Sequence, residues 1–218
     1  MPVITKIVEQ KRRANRRSVY LDGAFAFGCN LNVVARFRLV EGQTLSPQEI
    51  EAIQNGAVRQ ECFDHAIRSL ERRLHTRVEL ATKLKKQEYP AGVIEAVLDQ
   101  LTEMNYVNDQ RFAETRAELT ATYKHHGRNR AMMELAKKGV ARETARQAVE
   151  KVYESHDSAA MARDLVRKKY RALERLGPVV ARRRLYGMLL RRGFDFATIK
   201  PAVEEVIAGD PDEVVTDD

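Results

Sequence analysis

The residues of this chain whose clustering suggests a chemical role are mainly arginines, and their spacing points to binding anions rather than to making or breaking bonds. Lys11, Arg12, Arg13, Arg16 and Arg17 fall within seven residues, and Arg182, Arg183, Arg184, Arg191 and Arg192 fall within eleven. Arg128 and Arg130 add a third, smaller group. The formal charge is +7 and the isoelectric point is near 9.5, so the body of the protein attracts polyanions. Arginine outnumbers lysine in these groups, which favours bidentate contact with phosphate or carboxylate.

Bond-making chemistry has no comparable signal. The chain contains no G-x-x-x-x-G-K-[ST], H-E-x-x-H, C-x-x-C or G-x-S-x-G. Of the five histidines, His125 and His126 are adjacent, but Lys124 and Arg128 flank them and disfavour a metal cation. Cys62 falls on the apolar stripe of its helix and is expected in the core. Asp109 with Arg111 stands where a helix begins, so a capping role is expected of it. No catalytic residue, cofactor or metal is therefore expected, and the protein is not an enzyme on this reading. Cys29 and Cys62 form no disulfide framework, no apolar run is long enough to span a bilayer, and Pro2 to Val8 is too short for a secretory leader. These features place the protein in the cytosol, off the membrane, and as a monomer by default.

The elements that must position the arginines are of two kinds. Val3 to Glu9 is β-branched and partly alternating, and Asp22-Gly23 between two apolar runs marks a tight hairpin. A small antiparallel sheet of three strands follows, with Tyr20, Phe25 and Phe27 on one aromatic face. The basic stretch Gln10 to Arg17 is expected to connect strands as a mobile arm. Asn32 is expected to cap a short helix carrying Val33, Val34 and Phe37. Ser46-Pro47-Gln48-Glu49 is a capping box with proline at the first helical position. Cys62, Ala66, Leu70 and Leu74 then share one helical face, and Thr76 to Glu79 forms a second box.

From residue 80 to 207 one helical pattern occurs three times. Leu84-Lys-Lys-Gln-Glu-Tyr89, Leu135-Ala-Lys-Lys-Gly-Val140 and Leu189-Leu-Arg-Arg-Gly-Phe194 each precede apolar residues at helical spacing. Glu88, Gly139 and Gly193 mark the turns, 51 and 54 residues apart. Repetition at that period indicates stacked three-helix units. The fold class is thus mainly α, with tandem three-helix repeats in an elongated curved array and a small N-terminal antiparallel β-sheet. The expected segments are a sheet and adaptor (1–45), repeat one with its lead-in helix (46–105), repeat two (106–154), repeat three (155–208) and a disordered acidic tail (209–218). Arg128, Arg130 and the arginines from 182 to 192 fall on the middle helices of repeats two and three, which would line one face.

The repeats resemble the regulatory RecX family. The stretch from Thr76-Arg-Val-Glu-Leu80 through Val97-Leu-Asp-Gln-Leu101 leads into Asp109-Gln-Arg-Phe-Ala113, which matches that family's D-x-R-F-A signature. Glu134-Leu-Ala-Lys-Lys-Gly-Val140 matches its E-L-x-x-K-G-[IV] element. Ile4-Thr-Lys-Ile-Val8 and Tyr20 to Phe27 look like the N-terminal extension of longer members. The likeness gives Asp109, Arg111, Phe112, Ala113, Gly139 and Gly193 structural roles. Two departures stand out: Glu88 replaces a glycine at the first turn, and His75-Thr76 replaces a serine-rich helix entry.

The resemblance implies a modulator of the RecA recombinase. Such proteins bind RecA and its single-stranded-DNA filament, limit filament growth, and reduce ATPase, strand-exchange and co-protease activity. The cations named above are then candidates for contact with RecA or DNA. Two rival readings use the same residues: a sequence-nonspecific DNA-binding protein without a RecA partner, and a helical protein-interaction scaffold. The acidic tail could occupy the basic face, although a passive chain end is the simpler expectation.

Overall fold

Two consecutive residues with positive φ, Asp22 at 48° and Gly23 at 83°, close the hairpin on which the N-terminal sheet is built. In the computed structural model, which describes residues 1–11 and 13–209, strands β1 (Ile4–Gln10), β2 (Arg13–Leu21) and β3 (Ala24–Asn30) pair antiparallel in that order. The aromatic face expected of this sheet is divided. Ala26 is an extra residue between the Tyr20–Phe25 and Val19–Phe27 pairs. That bulge sends Phe27 inward with Val19, Ile4 and Cys29, while Phe25 stays outside against Tyr20.

The basic stretch is also not an arm. Arg16 and Arg17 are residues of β2, and Arg17 pairs across the ladder with Glu9 at 3.1 Å. Opposite charges directly across an antiparallel pair favour that register. Arg12 and the side chain of Arg13 lie outside the described residues, as does the acidic tail from Asp210 onward.

Helix α1 (Leu31–Arg36) is capped by Asn30 and not by Asn32: the Asn30 side chain accepts the Val33 N–H at 3.0 Å. Helix α2 (Pro47–Leu70) opens on the complete Ser46/Glu49 capping box. It runs unbroken for 24 residues, fusing the expected lead-in helix to the first helix of repeat one. Gly56 does not interrupt it, because the ring of Phe37 packs where a Cβ would stand. The helix ends at Leu70, so Leu74 lies in the following loop rather than on its stripe; Thr76 restarts the chain by capping α3 (Arg77–Lys85).

Repeat one is completed by α4 (Ala91–Glu103), pinned to α3 where Arg77 meets Glu95 and Asp99, each at 2.7 Å. Repeat two comprises α5 (Asp109–Thr122), α6 (Arg128–Lys137) and α7 (Arg142–Glu154). Repeat three comprises α8 (Ser158–Tyr170), a 3-10 turn at Glu174–Leu176, α9 (Pro178–Arg191) and α10 (Phe196–Ala208). The apolar positions of the repeated pattern are buried in each copy (Ile94, Val97, Leu98 and Leu101; Ala145, Ala148, Val149 and Val152; Ile199, Ala202 and Val203), except that Val206 in the third is only partly buried. The chain divides into two compact units between Val107 and Asn108, the sheet and repeat one forming the first and repeats two and three the second. No described helix is long and apolar enough to cross a membrane.

The three turns share a backbone conformation despite their different residues. Glu88, Gly139 and Gly193 have φ of 60°, 76° and 84°, and each donates its N–H to the carbonyl three residues back. For an L-residue with a side chain this left-handed conformation costs ~1–2 kcal/mol, partly offset by the chain entropy glycine would lose. Tyr89-Pro90 therefore stops the helix without relieving Glu88. Glu88→Gly is expected to raise stability by ~0.5–1 kcal/mol, read as a melting temperature about 2 °C higher by circular dichroism. A lower melting temperature would show that the Glu88 side chain makes compensating contacts.

Candidate functional site

The middle helices of repeats two and three meet end to end. Where α9 finishes, the carbonyls of Arg192 and Gly193 accept the N–H groups of Gly127 and Asn129, at 2.8 and 3.1 Å, just where α6 begins. The last carbonyls of one helix thereby satisfy the first amides of the other, and their opposite partial charges face each other. The approach is close enough to require glycine on both sides. A Cβ on Gly193 would fall on the backbone of Arg130, and one on Gly127 would fall on the Gly193 carbonyl.

A half-buried carboxylate sits beside this junction. Glu134 of α6 accepts from Arg116 at 2.9 Å and from Lys124 at 3.0 Å, with His126 at 3.7 Å and Arg130 at 3.9 Å. Nε of Arg116, Nε of Arg130 and Nδ1 of His126 are buried around this carboxylate without a hydrogen-bond partner among the described residues. Burial would raise the Glu134 pKa, but Lys124 and Arg116 hold it below the ordinary value. Burial and the cations Arg192, Lys124 and Arg130 hold His126 below its ordinary value, against the pull of Glu134. In the sequence Glu134 stands out only as the first residue of the E-L-x-x-K-G-[IV] element, not as a counterion. Its signal was present: it is the only acid between Glu118 and Glu143, in a stretch rich in cations.

The candidate cations separate by what their guanidiniums do. Arg192 donates to the Lys124 carbonyl at 3.1 Å, which ties repeat three to the α5–α6 loop. Arg128 lies over the Tyr153 ring at 5.9 Å and donates to the Tyr153 carbonyl, while Tyr153 Oη donates to the His126 carbonyl at 2.6 Å. Arg16 is held by Glu61 at 3.0 Å, and Arg17 by Glu9 and the Ala14 carbonyl. Arg182 pairs with Glu204 at 2.8 Å, but both side chains are more than 40% exposed, so the pair is worth only ~0.2–1 kcal/mol and leaves Arg182 recruitable. Lys11, Arg183, Arg184 and Arg191 are exposed, and no described residue forms an ion pair or hydrogen bond with their side chains.

The signature Asp109-Gln-Arg-Phe-Ala113 is built into the start of α5. Asn108 is the cap, accepting from the Arg111 N–H at 2.8 Å, and Asp109 is the first helical residue. Phe112 and Ala113 are buried in repeat two, while Arg111 points to solvent. Cys62 is fully buried, and desolvation pushes its thiol up to about 11, so it is a protonated core residue at neutral pH.

A family model described as the regulatory protein RecX N-terminal domain matches residues 2–46. Models described as the first, second and third three-helix domains of RecX match residues 62–101, 108–149 and 156–203. The regulatory protein RecX of Bacillus velezensis is 30% identical over 213 residues, covering 98% of this chain and 81% of that protein. Its Bacillus subtilis counterpart is 31% identical over 209 residues, covering 94% and 78%. A crystal structure of a regulatory protein RecX matches with a TM-score of 0.77 at 23% identity, over 94% of this chain and all of that one. RecX from Lactobacillus salivarius matches with a TM-score of 0.62 at 20% identity, over 68% of this chain and 96% of its own. The two structural matches show a shared fold.

Gly193→Ala should cost ~2–4 kcal/mol, because strain at positive φ adds to a backbone clash. Gly23 also has positive φ but open space around it, so Gly23→Ala should cost only ~1–2 kcal/mol when both variants are measured by urea titration. Equal losses would refute the close-approach explanation. The junction should also be acid-sensitive. His126 and Glu134 both have lowered pKa values, so the folded state binds fewer protons than the unfolded chain. Their stabilising effect is complete at neutral pH, and it declines as pH falls below about 6.5 for the histidine and below 4.5 for the carboxylate. His65 and His75 shift in the same direction. The melting temperature should therefore drop between pH 7 and 5.5, and His126→Gln should remove part of that drop; a profile flat over this range contradicts the assignment.

Proposed function

This chain belongs to the RecX family of regulatory proteins, and from that premise we propose that it binds RecA and the RecA–single-stranded-DNA filament and restrains recombinase, ATPase and co-protease activity. The observation that carries this reading is the uncommitted arginine set of α9. Arg183, Arg184 and Arg191 project from a helix whose C-terminal end is hydrogen-bonded to α6, so three free guanidiniums stand on a fixed support. A planar, permanently charged fork suits phosphate oxygens of DNA or carboxylates of a protein groove.

A regulator that works without bond chemistry acts only through differential affinity. It shifts the filament population by binding one arrangement of RecA and DNA more tightly than another. The contact set favoured here is Arg183, Arg184 and Arg191, with Arg182 available once its exposed pair with Glu204 is exchanged. Arg128, Arg130 and Arg192 act in this reading from behind, by holding the helices that present the others. Lys11 and Arg111 are further exposed cations that could add contacts.

Sequence-nonspecific DNA binding without RecA would use the same arginines, and salt dependence separates the two readings. Each phosphate contact on a single strand contributes about −0.7 to the log–log salt slope. The triple replacement of Arg183, Arg184 and Arg191 by Glu is expected to raise the concentration needed to inhibit RecA's DNA-dependent ATPase by at least ~10-fold, with an unchanged melting temperature. Undiminished inhibition would remove α9 from the contact. Lost binding to bare DNA in a protein that never affected RecA would favour the second reading.

A further inference from the structure

Within the first unit, strand β2, helix α2 and the α3–α4 turn enclose a cleft of about 620 Å³ whose lining includes Asn15, His65, Arg68, Gln87 and Tyr89. That volume is within the range of small-ligand sites. Glu61, the one carboxylate in the lining, is neutralised by Arg16 at 3.0 Å. Arg68 is exposed and makes no hydrogen bond or ion pair with a described residue. Arg72 and Lys83 lie near enough, with Arg68, to add to the burial that keeps the His65 imidazole below its ordinary pKa. The cleft thus combines an uncancelled positive charge with a neutral imidazole.

Its apolar element is aromatic. The rings of His65 and Tyr89 meet edge to face with centroids 6.1 Å apart. Burial raises the Tyr89 phenol pKa, so its hydroxyl keeps its proton and remains a donor. The Asn15 and Gln87 side-chain amides offer paired donors and acceptors at the rim. A positive centre beside an aromatic pair and two amides matches the parts of a nucleotide: phosphate, planar base and base edge.

We propose that this cleft binds one nucleoside-phosphate unit, with the phosphate against Arg68 and the base against the His65–Tyr89 pair. The unit can belong to a single strand of DNA or be a free nucleotide, and the chemistry is the same for both. Base stacking on aromatic side chains is tolerant of sequence, because every base has a π-face. The inference does not depend on RecA binding, and it concerns side chains other than those of α9.

The test uses the full chain without RecA, in the background where Arg183, Arg184 and Arg191 are replaced by Glu. Anisotropy of a labelled oligo-dT and equilibrium dialysis of ATP measure the two sources of ligand. Arg68→Glu is expected to weaken oligonucleotide binding ~10-fold and to lower the salt slope by about 0.7. Tyr89→Leu, which keeps apolar volume but removes the ring, should weaken binding ~5-fold or more with the slope unchanged. Parallel losses for ATP identify a free-nucleotide site, whereas losses confined to the oligonucleotide identify a DNA site. Photocrosslinking of the unsubstituted chain to iodouridine-labelled DNA should map to the peptide carrying Tyr89 if DNA is the source. Affinities unchanged by both substitutions, for both ligands and with intact melting curves, would overturn the proposal, as would an Arg68-dependent site that takes only an acidic peptide.

Discussion

The structure of the second unit depends on one constraint: a helix end carries backbone groups that must find partners outside the helix. Here the partners are supplied by another helix. The terminal carbonyls of α9 and the initial amides of α6 satisfy one another, and the two glycines allow the backbones to approach that far. A side-chain contact between the repeats would tolerate substitution and small shifts. A backbone contact with no room for a Cβ does not, so the order of the two middle helices is set by sterics as much as by hydrogen bonds. Tyr153 and Arg192 reinforce the joint from either side by bonding to the His126 and Lys124 carbonyls of the same short loop.

Electrostatics at the joint then decides which arginines remain available. Glu134 gathers Arg116, Lys124 and Arg130 on one carboxylate, and partial burial strengthens those attractions relative to exposed pairs. Arg128 and Arg192 are used on backbone carbonyls and an aromatic ring. Among the described arginines of α9, Arg183, Arg184 and Arg191 have no such partner and lie on its exposed surface. A uniform basic face is in this way divided into cations that hold the repeats together and cations that can meet a partner. A regulator acting by differential affinity needs both, because contacts on a loose support lose part of their binding energy to ordering.

Much of the fold was legible in local signals. Capping residues at Ser46 and Thr76 mark helix starts in both sequence and structure, since the physics of a cap involves only three or four neighbouring residues. The apolar spacing of the repeated pattern identified the buried faces for the same reason. What failed depended on distant partners. The bulge at Ala26 that divides Phe25 from Phe27 reflects how β3 pairs with β2. The continuity of α2 through Gly56 reflects the Phe37 ring packed beside it. The Gln10 to Arg17 stretch read as a connection because its charges looked solvated, whereas pairing with Glu9 and Glu61 makes them compatible with a strand.

The candidate site divides along the same line. The sequence alone determined that the chain is a helical repeat rich in arginine, where those arginines cluster, and which family pattern it carries, because composition, caps and periodicity are properties of neighbouring residues. Only the tertiary structure decided that Glu88 adopts the left-handed turn of its glycine counterparts, that Glu134 is the counterion of the joint, and that Arg192 faces inward while Arg191 does not. Two adjacent arginines look identical in a sequence; one step of about 100° around a helix places one against a neighbouring carbonyl and the other in water.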